Sequence, residues 1–387
     1  MTKTSTGKVP AAKPGAPRLL HLFSRFGAED PTAQRAVAVM NGLGGRMQHM
    51  IVSADKGASD AVHGIDRGIG YAIDSGFPRL DAGLARPGRL QRIASRMGQF
   101  DLVLSYGRGA LGAPLAHTLF GQPLGLPPLI HHDDGEDETD RQRQGFRSLW
   151  YRRVGFGRSS GVVVPTETME GIALTAWRQP LGRVKLIRDG VNLARFASTS
   201  KRDAIPRLVK HEGELWAVCF AQDAEDWSLG ALIAAFDKLE YDWHLILVGG
   251  GADHAEISRR QLEDRVHAAP AGADAGTLLG LADMVLQPAS TRTLGRETLW
   301  AMAAGQALVG YASGEIGDAV AEANARFLLP PLAQYSALDA MRELANDPSL
   351  RRKVGKANRA QAEAQRDATA MIAAYRRLYT SAIERAG

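Results

Sequence analysis

Short apolar runs, each followed by a polar or glycine-rich turn, recur along the chain: LLHLF from Leu19, MIVS from Met50, DLVLSYG from Asp101, PPLIHH from Pro127, GVVVPT from Gly161, LWAVCFA from Leu215, HLILVGGG from His244, MVLQP from Met284 and ALVGY from Ala307. Runs this short and this uniformly apolar fit strands buried on both faces, as in a parallel sheet. Between them lie helical stretches, among them Ala33 to Leu43, Arg86 to Met97, GALGAPLAHTL and Leu229 to Leu239. Strand alternating with helix predicts an α/β fold with helices on both faces of each sheet. The polar, proline-containing span from Ala197 to Gly213 has the composition of a linker. It divides the 387 residues into two similar halves, each long enough to bury its own core. The domains expected are 18–200 and 213–366, with a tail at 1–17 and a closing segment at 367–387.

Composition removes several classes of function. No apolar run approaches the ~20 residues that span a bilayer. The N-terminal MTKTSTGKVPAAKPGAPR is basic and rich in small residues, lacks the apolar core of a secretory signal, and reads as a disordered tail. Cys219 is the only cysteine, which excludes an internal disulfide and a cysteine metal site. Within LWAVCFA it reads as a buried core thiol. These features suit a cytoplasmic protein. The net charge of +5 favours acidic partners without naming them. Arginines and aromatics interleave in DRQRQGFRSLWYRRVGFGR, from Asp140 to Arg158. That mixture fits either a helix lying on an anionic membrane surface or one that packs its aromatics inward and solvates its arginines. No nucleic-acid-binding module accompanies the charge.

The stretch from Ala282 to Tyr311, ADMVLQPASTRTLGRETLWAMAAGQALVGY, predicts a strand, a polar loop, a helix starting near Leu294 or Gly295, and a further strand. A loop leading into a helix start at the end of a buried strand exposes unpaired amides, and α/β proteins bind phosphates at such places. Pro288, Gly295, Leu299, Ala301, Met302, Ala303 and Gly305 resemble the signature of the retaining family 4 glycosyltransferases. SYGRGALGAPLAH, LIHHDDGEDETDRQRQ, VVVPTETMEGIALTAWRQP and VKLIRDGVNLARF resemble, in that order and spacing, one bacterial branch of the same family. VKLIRDGVNLARF is similar to its Ile-x-Asn-Gly-Val-Asp-x-x-x-Phe segment, with Asp189 and Asn192 exchanged. The likeness runs from about Leu19 to Tyr379. It implies a GT-B fold: two Rossmann-like domains facing a cleft, the first for the acceptor and the second for the nucleotide-sugar. Met371, Tyr375 and Tyr379 would belong to a closing helix that crosses back onto the first domain. Their spacing also suits an ordinary amphipathic terminal helix.

The donor-binding residues of that family are altered here. Aligned on Ala-Met-Ala, its two glutamates become Arg292 and Trp300, and Glu297 is the nearby carboxylate. Aligned on LIAAF, its phosphate-binding Arg and Lys become Gln222 and Trp227, within an acidic loop containing Asp223, Glu225 and Asp226. A hydrogen bond to a charged group contributes about 1.5–3 kcal/mol, so losing two cations removes about 3–6 kcal/mol. A helix N-terminus restores only about 0.3–1 kcal/mol. Arg292 and Arg296, flanking Gly295, are the candidates to carry the diphosphate instead, through paired guanidinium donors. Trp300 in place of a carboxylate has no acceptor for ribose hydroxyls, and reads either as a stacking platform or as core.

In the first half, the resemblance places His132, with His131 beside it, near the donor sugar. Gly27 stands where the family has a Gly-Gly turn, although Ala28 follows it. Gly249 and Gly251 would let the second domain's backbone approach the nucleotide. The cluster from His131 to Asp137 is a poor metal site, because neighbours on an extended chain point to opposite faces. The three glycines from Gly249 fail as a dinucleotide fingerprint, since His254 stands where a small residue is needed.

The expected function is transfer of a sugar from a nucleotide-diphosphate sugar to a lipid-linked or polysaccharide acceptor, peripherally at an anionic membrane face, with no cofactor, metal or nucleic acid. The alternative is a catalytically silent binding or scaffold subunit of the same fold.

Overall fold

The computed structural model describes residues 15–28, 30–55, 59–74, 76–81, 86–134, 145–197, 200–222, 224–249, 260–270, 272–289, 294–312, 315–330 and 337–385. Contacts divide the chain into two units. One runs to Asp189 and is joined by the segment from Thr369 onward, and the other spans Gly190–Ala368.

The first unit is built on a seven-stranded parallel sheet. Its strands are β1 (Arg18–Phe23), β2 (Gln48–Ser53), β3 (Tyr71–Asp74), β4 (Leu102–Tyr106), β5 (Leu129–His132), β6 (Gly161–Val164) and β7 (Val184–Leu186), in the order β3-β2-β1-β4-β5-β6-β7. Alternation along β1 sorts its side chains between two cores. Leu19 and Phe23 join one cluster with Met40, Ile51 and Leu104, and Leu20 and Leu22 join another with Ile93, Leu115 and Val162. The helix Ala368–Glu384 covers the first of these clusters with Met371, Tyr375, Tyr379 and Ala382, a single stripe at helical spacing. It lies so close to the helix Pro31–Leu43 that a β-carbon on Gly42 would come within 2.4 Å of Ile372 Cδ1.

The second unit repeats the plan with β8 (Leu215–Phe220), β9 (Trp243–Val248), β10 (Val266–Ala268), β11 (Met284–Gln287), β12 (Leu308–Tyr311) and β13 (Leu328–Leu329), ordered β10-β9-β8-β11-β12-β13 and parallel throughout. The span that reads as a linker is folded here. Ile205 and Leu208 are buried with Trp216 and Leu278, and Lys210 pairs with Asp283 at 2.5 Å. Four strands escape the sequence pattern, β3, β7, β10 and β13, and each has four residues or fewer.

The arginine-rich segment departs from a helix that packs all its aromatics inward and solvates all its arginines. Phe146 is 85% exposed and Trp150 39%, while Tyr151 and Phe156 turn inward. Arg152 turns inward with them. It is 1% exposed and pairs with equally buried Asp133 at 2.7 Å. Among the described residues no helix is long and apolar enough to cross a membrane.

Candidate functional site

In the second sheet the strand order reverses between β8 and β11. Loops leaving two such strands diverge and open a crevice at their carboxyl ends. Phe220 and Gln222 from the end of β8, Gln287 from β11, and Gly295, Glu297 and Thr298 from the following helix start line a recess there. Its floor is tied down. The Thr298 hydroxyl donates to Gln287 Oε1 at 3.0 Å, and the Gln287 amide donates to the Pro288 carbonyl at 3.1 Å. On the neighbouring strand Gly310 has φ +143°, and a β-carbon there would lie 2.1 Å from the Gln287 carbonyl oxygen, so this position requires glycine. The loop after β11 is held by Ser228, whose hydroxyl accepts from Ala289 N at 3.0 Å.

The helix Arg296–Ala303 begins beside this recess, with Gly295 as its N-cap. Glycine supplies no capping side chain, and a carboxylate lies in that space instead: a β-carbon on Gly295 would sit 2.7 Å from Glu297 Oε2. Glu297 is the one ionisable side chain among the described residues of the lining. Gly249 closes β9 with φ +67°, and a β-carbon there would approach Gln222 Cβ to 3.3 Å. Gly249 therefore lets the two loops come together, although it does not itself line the recess.

The sequence assigned the diphosphate to Arg292 and Arg296. Arg292 and Gly251 lie outside the described residues. Arg296 is exposed, and its guanidinium lies 4.9 Å from the centre of the Trp300 ring. Trp300 is half-buried between Phe196 and Phe220, at centroid distances of 6.3 and 6.0 Å. Trp300 thus buttresses Phe220, and Arg296 covers it. Gln287, Thr298 and Phe220 were not singled out from sequence. The available signal was position alone, at the end of a strand or the start of a helix.

The first unit holds its predicted residues in a different setting. His131 and His132 end β5 and are 0% and 2% exposed. His131 Nδ1 bonds the Ser105 hydroxyl at 2.8 Å, and its Nε2 lies 3.6 Å from Asp133. This Ser-His-Asp grouping is sealed from solvent, since Ser105 is 0% exposed. His132 Nε2 meets the Tyr379 hydroxyl at 2.9 Å, and its Nδ1 lies 3.4 Å from the Ser105 carbonyl. Burial lowers its pKa to about 3, helped by neighbouring His131, so the ring is neutral. The polar chain extends further: Tyr106 bonds His21 at 2.9 Å, and His21 bonds His49 at 2.9 Å. Gly27 has no steric need to be glycine, and the amide after it, on Ala28, is taken by Asp60 at 3.1 Å.

Close to these residues, Arg35 pairs through two nitrogens with Asp189 and through a third with Asp134. Asp134 also accepts from the Thr32 hydroxyl at 2.6 Å. Arg35 is 154 residues from Asp189 and carries no local signature of this pairing in the sequence. No group of three His, Cys, Asp or Glu side chains able to hold a metal occurs among the described residues.

No protein of curated function matches the sequence. Residues 202–361 match the family model for group 1 glycosyl transferases. Among solved structures the chain is similar to HepE of Anabaena in complex with UDP, with 17% identity and a TM-score of 0.71 over 94% of this chain and 100% of that one. It is also similar to a glycosyltransferase of Rickettsia africae, at 12% identity and a TM-score of 0.70 over 96% and 99%. Sucrose-phosphate synthase from Thermosynechococcus elongatus matches at 16% identity and a TM-score of 0.68 over 95% and 100%. At these identities the likeness is one of fold. The chain has the GT-B fold of these neighbours, and its residues 202–361 resemble the group 1 glycosyl transferases.

Proposed function

We propose that the protein transfers a sugar, with retention, from a nucleotide-diphosphate sugar to a lipid-linked or polysaccharide acceptor. The observation that carries this reading is the recess at the β8/β11 reversal, bounded by the start of the helix Arg296–Ala303 and lying inside the span that matches the family model. The capture of HepE with UDP and with UDP-glucose supports the same class of donor. In this reading Gln287 and Thr298 orient the donor, Gly295 and Gly249 make room for it, and Arg292 supplies positive charge. Arg296 holds Trp300 in place beside the recess. His132 and His131 act from within the first unit as positioning residues, because their rings are buried. Phe146 and Trp150, exposed beside Arg147 and Arg153, favour an acceptor presented at an anionic membrane surface, which attracts such a mixture.

A second reading, a catalytically silent binding subunit, is favoured by the lining itself: its described residues offer a carboxylate, amides and a hydroxyl to a ligand that carries two phosphates. Calorimetry with UDP-, GDP-, ADP- and dTDP-sugars, followed by nucleotide release in the presence of anionic vesicles that carry a lipid-linked saccharide as the sugar acceptor, separates the two. The transferase reading expects one donor to bind and its nucleoside diphosphate to be released, faster with vesicles and less so for Phe146→Ser. Binding without release would leave the silent subunit. No binding by any member of the panel would end the donor assignment.

A further inference from the structure

The recess described above contains an anion of its own. Gly295, as N-cap, leaves the helix start without a side-chain acceptor, and Glu297 Oε2 fills the space where a β-carbon of residue 295 would stand. Amides at a helix start attract negative charge, whether it belongs to a ligand or to the chain. Glu297 also belongs to the lining of the recess, so its carboxylate stands beside whatever occupies it. The other polar side chains of the described lining, Gln222, Gln287 and Thr298, are neutral, and the last two are engaged with each other.

We infer that Glu297 is a specificity-determining residue: its carboxylate is a resident anion at the donor's diphosphate position and sets a low affinity for highly charged ligands. The inference rests on the donor reading of this recess. A nucleoside diphosphate must displace the carboxylate or bind beside it, and like charges within a few ångströms repel at the edge of a protein. The penalty grows with ligand charge and vanishes for a neutral nucleoside. Glycine at 295 and glutamate at 297 act together, because any larger residue at 295 would push the carboxylate away.

The test uses the full chain and the variant Glu297→Gln, which keeps the shape of the side chain and removes its charge. Uridine, UMP and UDP, with the guanosine and adenosine series alongside, are titrated by calorimetry at one ionic strength. The expected result is that Glu297→Gln binds the diphosphate about tenfold more tightly, the monophosphate by a smaller factor and the nucleoside unchanged. Glu297→Lys should extend the same trend, and thermal unfolding of each variant checks that it is folded. Equal affinity of wild type and Glu297→Gln for the diphosphate, or an equal change for diphosphate and nucleoside, overturns the inference while leaving the donor reading in place. Failure of all three probes to bind either protein in every series overturns the donor reading and the inference together.

Discussion

A largely buried arginine between two carboxylates ties three separate segments of the first unit together. Arg35 is held by Asp134 and Asp189, with side-chain exposures of 10%, 13% and 28% respectively. Removing one partner of a buried ion pair leaves charge without compensation, which costs about 3–5 kcal/mol. Partial exposure of Asp189 places the effect at the lower end. Arg35→Ala should therefore lower unfolding stability by about 3 kcal/mol in urea titrations. Arg35→Lys should recover only part of this, because one ammonium cannot reproduce the paired donors facing Asp189. At the same scale, Asp189 stands out in the sequence as part of RDGVNLARF, whereas Arg35 looks like any helical arginine. Nothing local to Arg35 signals that a loop 154 residues away returns to it.

The helix Ala368–Glu384 is the element on which the first unit's polar interior depends. Its buried stripe closes one face of the sheet, and Tyr379 joins that stripe to His132. Tyr379→Phe keeps the packing and leaves His132 Nε2 buried without its partner, a loss of about 1–3 kcal/mol. A lower thermal midpoint with unchanged nucleotide affinity is the expected outcome, since the recess belongs to the second unit. Helical spacing of Met371, Tyr375 and Tyr379 is visible in the sequence. What the Tyr379 hydroxyl bonds is not, because its partner ends a strand 247 residues earlier. The recess has the same character as an element-scale object. The strand, loop and helix around Gly295 follow from local pattern, while the choice of Glu297 over Arg296 to line the recess follows from the helix's rotation against its neighbours.

For the whole molecule, buried neutral histidines make stability depend on pH. Burial, the leading cause in each case, lowers the pKa of His21, of His49 to about 4 and of His132 to about 3. The unfolded chain, with histidines near 6.5, takes up protons first as the solution is acidified. Stability is therefore full above about pH 6.5 and falls as the pH drops toward the folded values. At pH 5 His49 and His132 should each contribute a loss of about 2 kcal/mol. Urea midpoints measured from pH 7.5 to 4.5 should decline, and His49→Gln should flatten the slope by about one proton. A midpoint independent of pH over this range would contradict the buried neutral network. The sequence by itself determined that the chain forms parallel sheets with helices on both faces, because apolar runs of strand length separated by helical stretches leave few other ways to bury that surface. It also placed a helix start near Gly295 after the buried strand Met284–Gln287, because a polar turn between a buried strand and a helix start is recognisable from adjacent residues. The tertiary structure decided the charge of the recess, the burial of His131 and His132, and the pairing of Arg35. Each of these depends on which side chains meet across long stretches of chain, and only packing brings those together.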